Sequence, residues 1–272
     1  MTVSENHLLR GHAPISDAAW ALIDEEARER LTVALAARRL VDFSGPHGWE
    51  HSATNLGRTE PIAQAPCPGV VALRRRVLPL AEVRATFTVT HDELQAGDRG
   101  AADVDFEALD QAARNVAVAE NKAVFHGWSE AGITGVTEAS PHPEVPRGTD
   151  FNDYPRPVAK AVELLLQSGV AGPYGLALGT EDYTGVIETA EHGGYPLFDH
   201  LRQILDGPIV WSPGVHGAVV LSQRGGDFLF DSGQDIAVGY HHADADAVHL
   251  YLEVSFSFHV ATPEAAVAIA PA

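Results

Sequence analysis

One short stretch concentrates residues that could do chemistry: His241-His242-Ala243-Asp244-Ala245-Asp246. Imidazole and carboxylate together are the donor set of zinc-like cations. The stretch lies between two runs of strand character, so a polar hairpin turn accounts for it better, and no metal is assigned to it. His192-Gly193-Gly194 has the form of an oxyanion-hole loop, but no Gly-x-Ser-x-Gly accompanies it. Cys67 stands in a proline-rich stretch without a local base pattern, which argues against a nucleophile. The fourteen histidines are otherwise scattered. No glycine-rich phosphate loop and no His-Glu-x-x-His occurs. The sequence therefore names no catalytic residue, no metal and no cofactor, and the reading is that the chain is not an enzyme. Triads do assemble from distant residues, so a hydrolase or peptidase stays as the alternative to test.

The elements around these residues carry more information. Ser16 is placed to cap a helix, and Trp20, Ile23, Ala27, Leu31, Ala34 and Leu35 follow at helical spacing. The spacing predicts an amphipathic helix to about Val41, ended by Ser44-Gly45-Pro46. Residues 45–82 are punctuated by glycine and proline, with strand character near 49–58 and 70–80. A hairpin with so little apolar content would not fold alone, so it reads as an arm that packs on something else. A strand over 83–89 precedes a helix predicted from an Asp103 cap to about Gly127. Helices near 155–167, 180–190 and 196–205 alternate with short strands near 174–178, 208–212 and 217–222, the pattern of a separate α/β subdomain. From Val248 to Val260 apolar and polar residues alternate strictly. That predicts a long strand, with 228–240 as its partner and a turn at 241–246.

Length and charge bound the function. The chain has 272 residues, enough for one large or two small domains. With 45% hydrophobic and 20% charged residues and a mean hydropathy of −0.05, it is an ordinary globular sequence. The net charge is −19, which disfavours nucleic acid and anionic lipid as partners. Basic and acidic residues balance over 1–76, so the whole acidic excess falls in 77–272. One cysteine excludes an intrachain disulfide. No signal-peptide order and no apolar run long enough to span a bilayer is seen, which makes cytoplasmic residence the expectation.

Seven fragments occur in an order that resembles a known family. They begin with Ala13-Pro14-Ile15 before Trp20, and Arg38-Arg39-Leu40-Val41-Asp42 leading to Gly45-Pro46-His47-Gly48-Trp49-Glu50. They continue with Arg84-Ala85-Thr86-Phe87-Thr88, Gly172-Pro173-Tyr174, Gly194-Tyr195-Pro196-Leu197 and Arg224-Gly225-Gly226-Asp227-Phe228, and end with Gly233 to Tyr240. The chain resembles the encapsulin shell proteins, the linocin-like family, nearly end to end.

The resemblance implies an α+β chain with the tailed-phage, HK97-type capsid fold. It implies an N-terminal helix over 1–44, an extended E-loop over 45–82 and a peripheral domain with a spine helix over 83–129. An axial domain would cover 130–222, and 223–272 would return to the peripheral domain. It implies a self-assembling icosahedral shell, T=1 with sixty copies. The shell would enclose a dye-decolourising peroxidase or ferritin-like iron oxidase held by its C-terminal targeting peptide. Carried over, Leu31 and Leu35 form the floor of the peptide groove, Arg38 and Asp42 its polar edge, and Ile236 and Val238 the facing strand. The i,i+4 spacing of Arg38 and Asp42 puts both on one helix face. A five-fold pore loop would comprise Glu188, Glu191, His192, Gly193, Gly194 and Tyr195. A ring of His192 would then make permeability depend on pH. No lysine occurs in 45–82, so a phage-type crosslink is excluded. A phage capsid protein shares the fold, but −19 per chain suits an inner wall facing DNA poorly.

Overall fold

The computed structural model describes residues 7–189 and 196–271. Three sheets organise them. The first contains β1 (Asp42–Ser44), β4 (Ala81–Thr90), β9 (Phe228–Ser232), β10 (Ala237–Ala243) and β11 (Ala247–Val260). The second runs in the order β5 (Val145–Pro146), β12 (Ala266–Ala270), β8 (Ala218–Ser222), β6 (Tyr174–Leu178), β7 (Ile209–Trp211). The third is the two-stranded hairpin of β2 (Ala53–Pro61) and β3 (Leu73–Pro79). Seven helices accompany them among the described residues: α1 (Asp17–Ala34), α2 (His91–Asp98), α3 (Glu107–His126), α4 (Val136–Ala139), α5 (Pro155–Gln167), α6 (Thr180–Glu188) and α7 (Leu197–Leu205).

β11 is the axis of the first sheet. It pairs antiparallel with β4 from Ala247↔Thr90 to Phe256↔Ala81. On its other edge β10 covers the first half and β9 the second, from Phe256↔Ser232 to Val260↔Phe228. The even-numbered residues predicted to face inward are buried, apart from the partly exposed Val260. Tyr251, Glu253, Ser255 and Ser257 on the other face are buried too, because the strand is covered on both sides. Glu253 meets Arg84 at 2.5 Å and His7 at 3.3 Å, and Ser257 meets the hydroxyl of Thr54 at 2.5 Å. Contacts from α3 reach β4 and β11 at the sheet and α4 at the far end of the helix, and α4 in turn touches β12. The 20-residue α3 therefore runs between the two sheets as a spine.

Several boundaries differ from the sequence reading: the strand expected over 228–240 is divided into β9 and β10, and His241, His242 and Ala243, expected in the turn, belong to β10. α1 stops at Ala34, not near Val41. Asn121 of α3 causes this: its amide donates to the Ala34 carbonyl at 2.9 Å, and its carbonyl accepts from Ala37 N–H at 3.0 Å. The next turn of α-helix is thereby replaced by a 3-10 turn, Ala37–Arg39. α3 starts at Glu107 rather than at an Asp103 cap, since it is Asp105 whose carboxylate accepts from the Glu107 N–H. α2 was not expected, although Thr90 with Glu93 three residues later is a capping signature, and Thr90 does accept from Glu93 N–H. Finally, Ala266–Ala270 leaves the first sheet, to which all of 223–272 was assigned. It pairs with β8 and β5 in the second.

Candidate functional site

The end of α1 opens into a cleft of about 720 Å³. Val33, Leu35 and Arg38 form one side, and Tyr183, Ile209 and Trp211 from α6 and β7 form the other. Arg38 is the fixed point of this region. Its guanidinium donates to both Glu120 oxygens at 2.8–3.1 Å and to Asp235 at 2.7 Å. It also lies over the rings of Phe43 and Phe230. Burial opposes the Arg38 charge, but the two carboxylates outweigh it and raise the guanidinium's pKa. Glu120 is fully buried, and burial pushes its carboxyl up against the pull of Arg38. Removing Arg38 would leave Glu120 buried and unpaired, whereas without Glu120 the guanidinium keeps Asp235.

The six residues predicted for a peptide groove do not form one continuous surface. Leu35 and Arg38 line the cleft. Ile236 is partly buried and follows Asp235, the second partner of Arg38. Leu31 and Val238 are buried in the core at 6% and 2% exposure. Asp42 is exposed, but it begins β1 and accepts from the Gly226 N–H at 2.7 Å. The shared helix face of Arg38 and Asp42 does not exist, because the helix has ended four residues before Arg38. Tyr183, Ile209 and Trp211 were missed: they come from the second sheet's surroundings, more than a hundred residues downstream. Val33 left a signal, being an apolar side chain on the polar side of α1 and well exposed.

The arm is a second candidate surface. β2 and β3 pair only with each other among the described residues, from Ala53↔Pro79 to Pro61↔Leu73. A bulge between Asn55 and Arg58 bends the hairpin, and Gly57 supplies the positive φ of 65° it needs. Ile62, Val70, Val71, Leu73 and Val77 are exposed, Val71 at 87%. Such a cluster on a projecting element marks a contact surface. Arg74, Arg75 and Arg76 are exposed beside it.

At the arm's root, Asp231 of β9 gathers several groups. His47 Nε2 lies 2.7 Å from one carboxylate oxygen, and His51 Nε2 lies 3.0 Å from the other. The Thr54 hydroxyl donates at 2.5 Å. Burial pushes the Asp231 carboxyl up, but the hydrogen bonds and the two imidazoles outweigh it and hold it below the usual carboxylate range. At the β10–β11 turn, Asp244 accepts from the N–H groups of Asp246 and Ala247 and meets His249 at 2.8 Å. That is the polar hairpin turn read from the sequence.

Of the predicted pore loop, Glu188 is the exposed last residue of α6. Glu191, His192, Gly193, Gly194 and Tyr195 lie outside the described residues. Their flanks are joined by Leu197 N–H donating to the Thr189 carbonyl at 3.2 Å. Cys67 is exposed on the arm. Among the described residues no helix is long and apolar enough to cross a membrane.

Comparison with known proteins identifies the family. A family model described as an encapsulating protein for peroxidase matches residues 5–257. A type 1 encapsulin shell protein of Rhodospirillum rubrum is 48% identical over 96% of this chain and 95% of its own. That of Mycobacterium tuberculosis is 40% identical over 97% and 99%. Among solved structures, a virus-like particle from Pyrococcus furiosus superimposes with a TM-score of 0.64 at 16% identity, over 91% of this chain and 98% of that one. The capsid of an empty GTA particle gives 0.54 at 15% identity, over 87% and 90%. The fold is thus the HK97-type capsid fold, and a family match across nearly the whole sequence makes the chain a member of the encapsulin shell proteins, structural and capsid-like rather than enzymatic.

Proposed function

We propose that sixty copies close into a T=1 icosahedral shell around a peroxidase cargo, or alternatively a ferritin-like iron oxidase. The arm carries this reading. Its two strands have no third strand among the described residues, and five of its apolar side chains are exposed. A second copy supplies neighbour and cover, so burying Ile62, Val70, Val71, Leu73 and Val77 drives assembly. The basic run Arg74–Arg76 meets a partner whose residues 77–272 hold the entire acidic excess. Sixty copies of 29.0 kDa make a particle of about 1.7 MDa. Native mass spectrometry or negative-stain microscopy tests it: hollow particles near that mass support the reading, and a monomer under gentle conditions defeats it.

Cargo would enter through a C-terminal tail bound by the cleft and its border, with Leu35 and Arg38 contributed by the α1 end and Ile236 beside Asp235. A tail laid there would cover exposed apolar surface next to a fixed cation, a peptide-in-groove arrangement. The cleft's far wall, Tyr183 and Trp211, adds aromatic contacts of the kind that dominate recognition. Co-expression with a tailed reporter checks it: Ile236→Asp and Trp211→Ala should each empty the shell while leaving its size unchanged. On the family resemblance, the segment 188–195 borders a pore. Flux of a charged solute above and below the imidazole range, about pH 6.5, should differ in wild-type shells and converge in His192→Ala.

A further inference from the structure

Two groups of imidazole and carboxylate donors converge among the described residues, each with its donor atoms within 4.8 Å of one another. His242, Asp244 and His249 are local to one turn, where Asp244 is half exposed and already occupied by two backbone N–H groups. His47, His51 and Asp231 are different. They join the root of the arm to β9 across some 180 residues of sequence.

We propose that His47, His51 and Asp231 form a site for a divalent transition-metal cation of the zinc type, which pins the root of the arm to β9. The two Nε2 atoms address opposite oxygens of one carboxylate, at 2.7 and 3.0 Å. Ligands at about 2.0–2.1 Å on a tetrahedral cation lie roughly 3.3 Å apart, so small side-chain movements admit the ion. Two imidazoles and one carboxylate suit zinc, cobalt or iron(II) and not the all-oxygen shells of calcium or magnesium.

The backbone holds the donors in place before any ion arrives. His47 N–H donates to the Ser232 carbonyl at 2.9 Å, and Gly48 N–H to the Gly233 carbonyl at 2.8 Å. Gly45 has φ +116°, and a Cβ there would stand 2.4 Å from the Ser232 carbonyl oxygen, so only glycine lets the segment lie this close to β9. Outer partners are present as well. Thr54 orients the Asp231 carboxylate and touches Ser257, while the Ser44 hydroxyl, 3.1 Å from His47 Nε2, is a contact the ion would displace. The side chains are 41%, 29% and 13% exposed, reachable from solvent yet sheltered.

The site stands on this geometry alone, while its consequence for the shell rests on the arm reading above, and the experiment separates the two. Chelator-stripped full-length protein carrying His242→Gln and His249→Gln, which disable the other cluster, is titrated with zinc alone. One saturable zinc per chain is expected, with affinity falling at least about tenfold on adding His47→Gln or His51→Gln. X-ray absorption at the zinc edge of the loaded parent should show two imidazoles with oxygen ligands. This reading decides the matter even if the added variants do not fold. No saturable binding, undiminished binding after both added substitutions, or fewer than two imidazoles would overturn the site. If zinc binds as expected but leaves the denaturant midpoint of particle dissociation unchanged, the site stands and the pinning of the arm falls.

Discussion

The arm hairpin and β11 are both extended segments with several apolar side chains, yet they differ in where their neighbours are. β11 has a strand on each edge and cover on each face, all from its own chain. The arm's strands have one partner each among the described residues, and beyond its root, where Thr54 meets Asp231 and Ser257, five apolar side chains stay exposed. β11 thus stabilises the subunit, and on the proposed reading the arm stabilises the assembly.

That contrast can be broken by substitution. Phe256→Ala in β11 removes a fully buried ring and should cost the subunit about 3–5 kcal/mol, read as a fall in Tm or loss of folded protein. Arg38→Ala should cost a comparable ~3–5 kcal/mol in denaturant unfolding, because Glu120 is left in the core without its partner. Glu120→Gln should be milder. Asp227 tests the crossing between the two sheets, where its backbone carbonyl accepts from Ala261 and Thr262 and its carboxylate pairs with Arg224. Burial pushes that carboxyl up, but hydrogen bonds from Arg224, Thr262 and Ser222 outweigh it and hold it below the ordinary range. A depressed carboxyl contributes stability above its unfolded value of about 3.9 and loses it as pH falls through the folded value. Asp227→Asn should cost about 1–3 kcal/mol near neutrality and flatten that part of the acid limb in unfolding measured against pH. The smallest stability effect is the most telling. Val71→Asp or Leu73→Asp should move the melting of dissociated subunits by less than about 0.5 kcal/mol, as for any exposed site. The same variants should lose particles in size exclusion. A subunit destabilised as much as by Phe256→Ala would end the comparison.

The legible parts of the fold were those with a repeating local signal. β11, α5, α6 and α7 lie where periodicity put them, because each side chain's environment there follows from its position in the element. The peptide groove was less legible. Leu31 continues the α1 stripe and is therefore core, whereas the reading that made it a groove floor came from resemblance. Arg38 was named as a polar edge of the groove, but its partners Glu120 and Asp235 are 82 and 197 residues away. No spacing rule reaches across such distances.

By itself the sequence determined the alternation of β11, the amphipathic stripe of α1 and the arm that lacks a core. It also set a net charge of −19, which disfavours nucleic acid as a partner. Those features depend on neighbours along the chain or on composition. Only the tertiary structure decided that α1 ends at Ala34, that Ala266–Ala270 joins the second sheet, and that His47 and His51 face Asp231. Each of those outcomes rests on a polar group from a distant segment satisfying a backbone or side-chain partner, and that pairing exists only once the chain has folded.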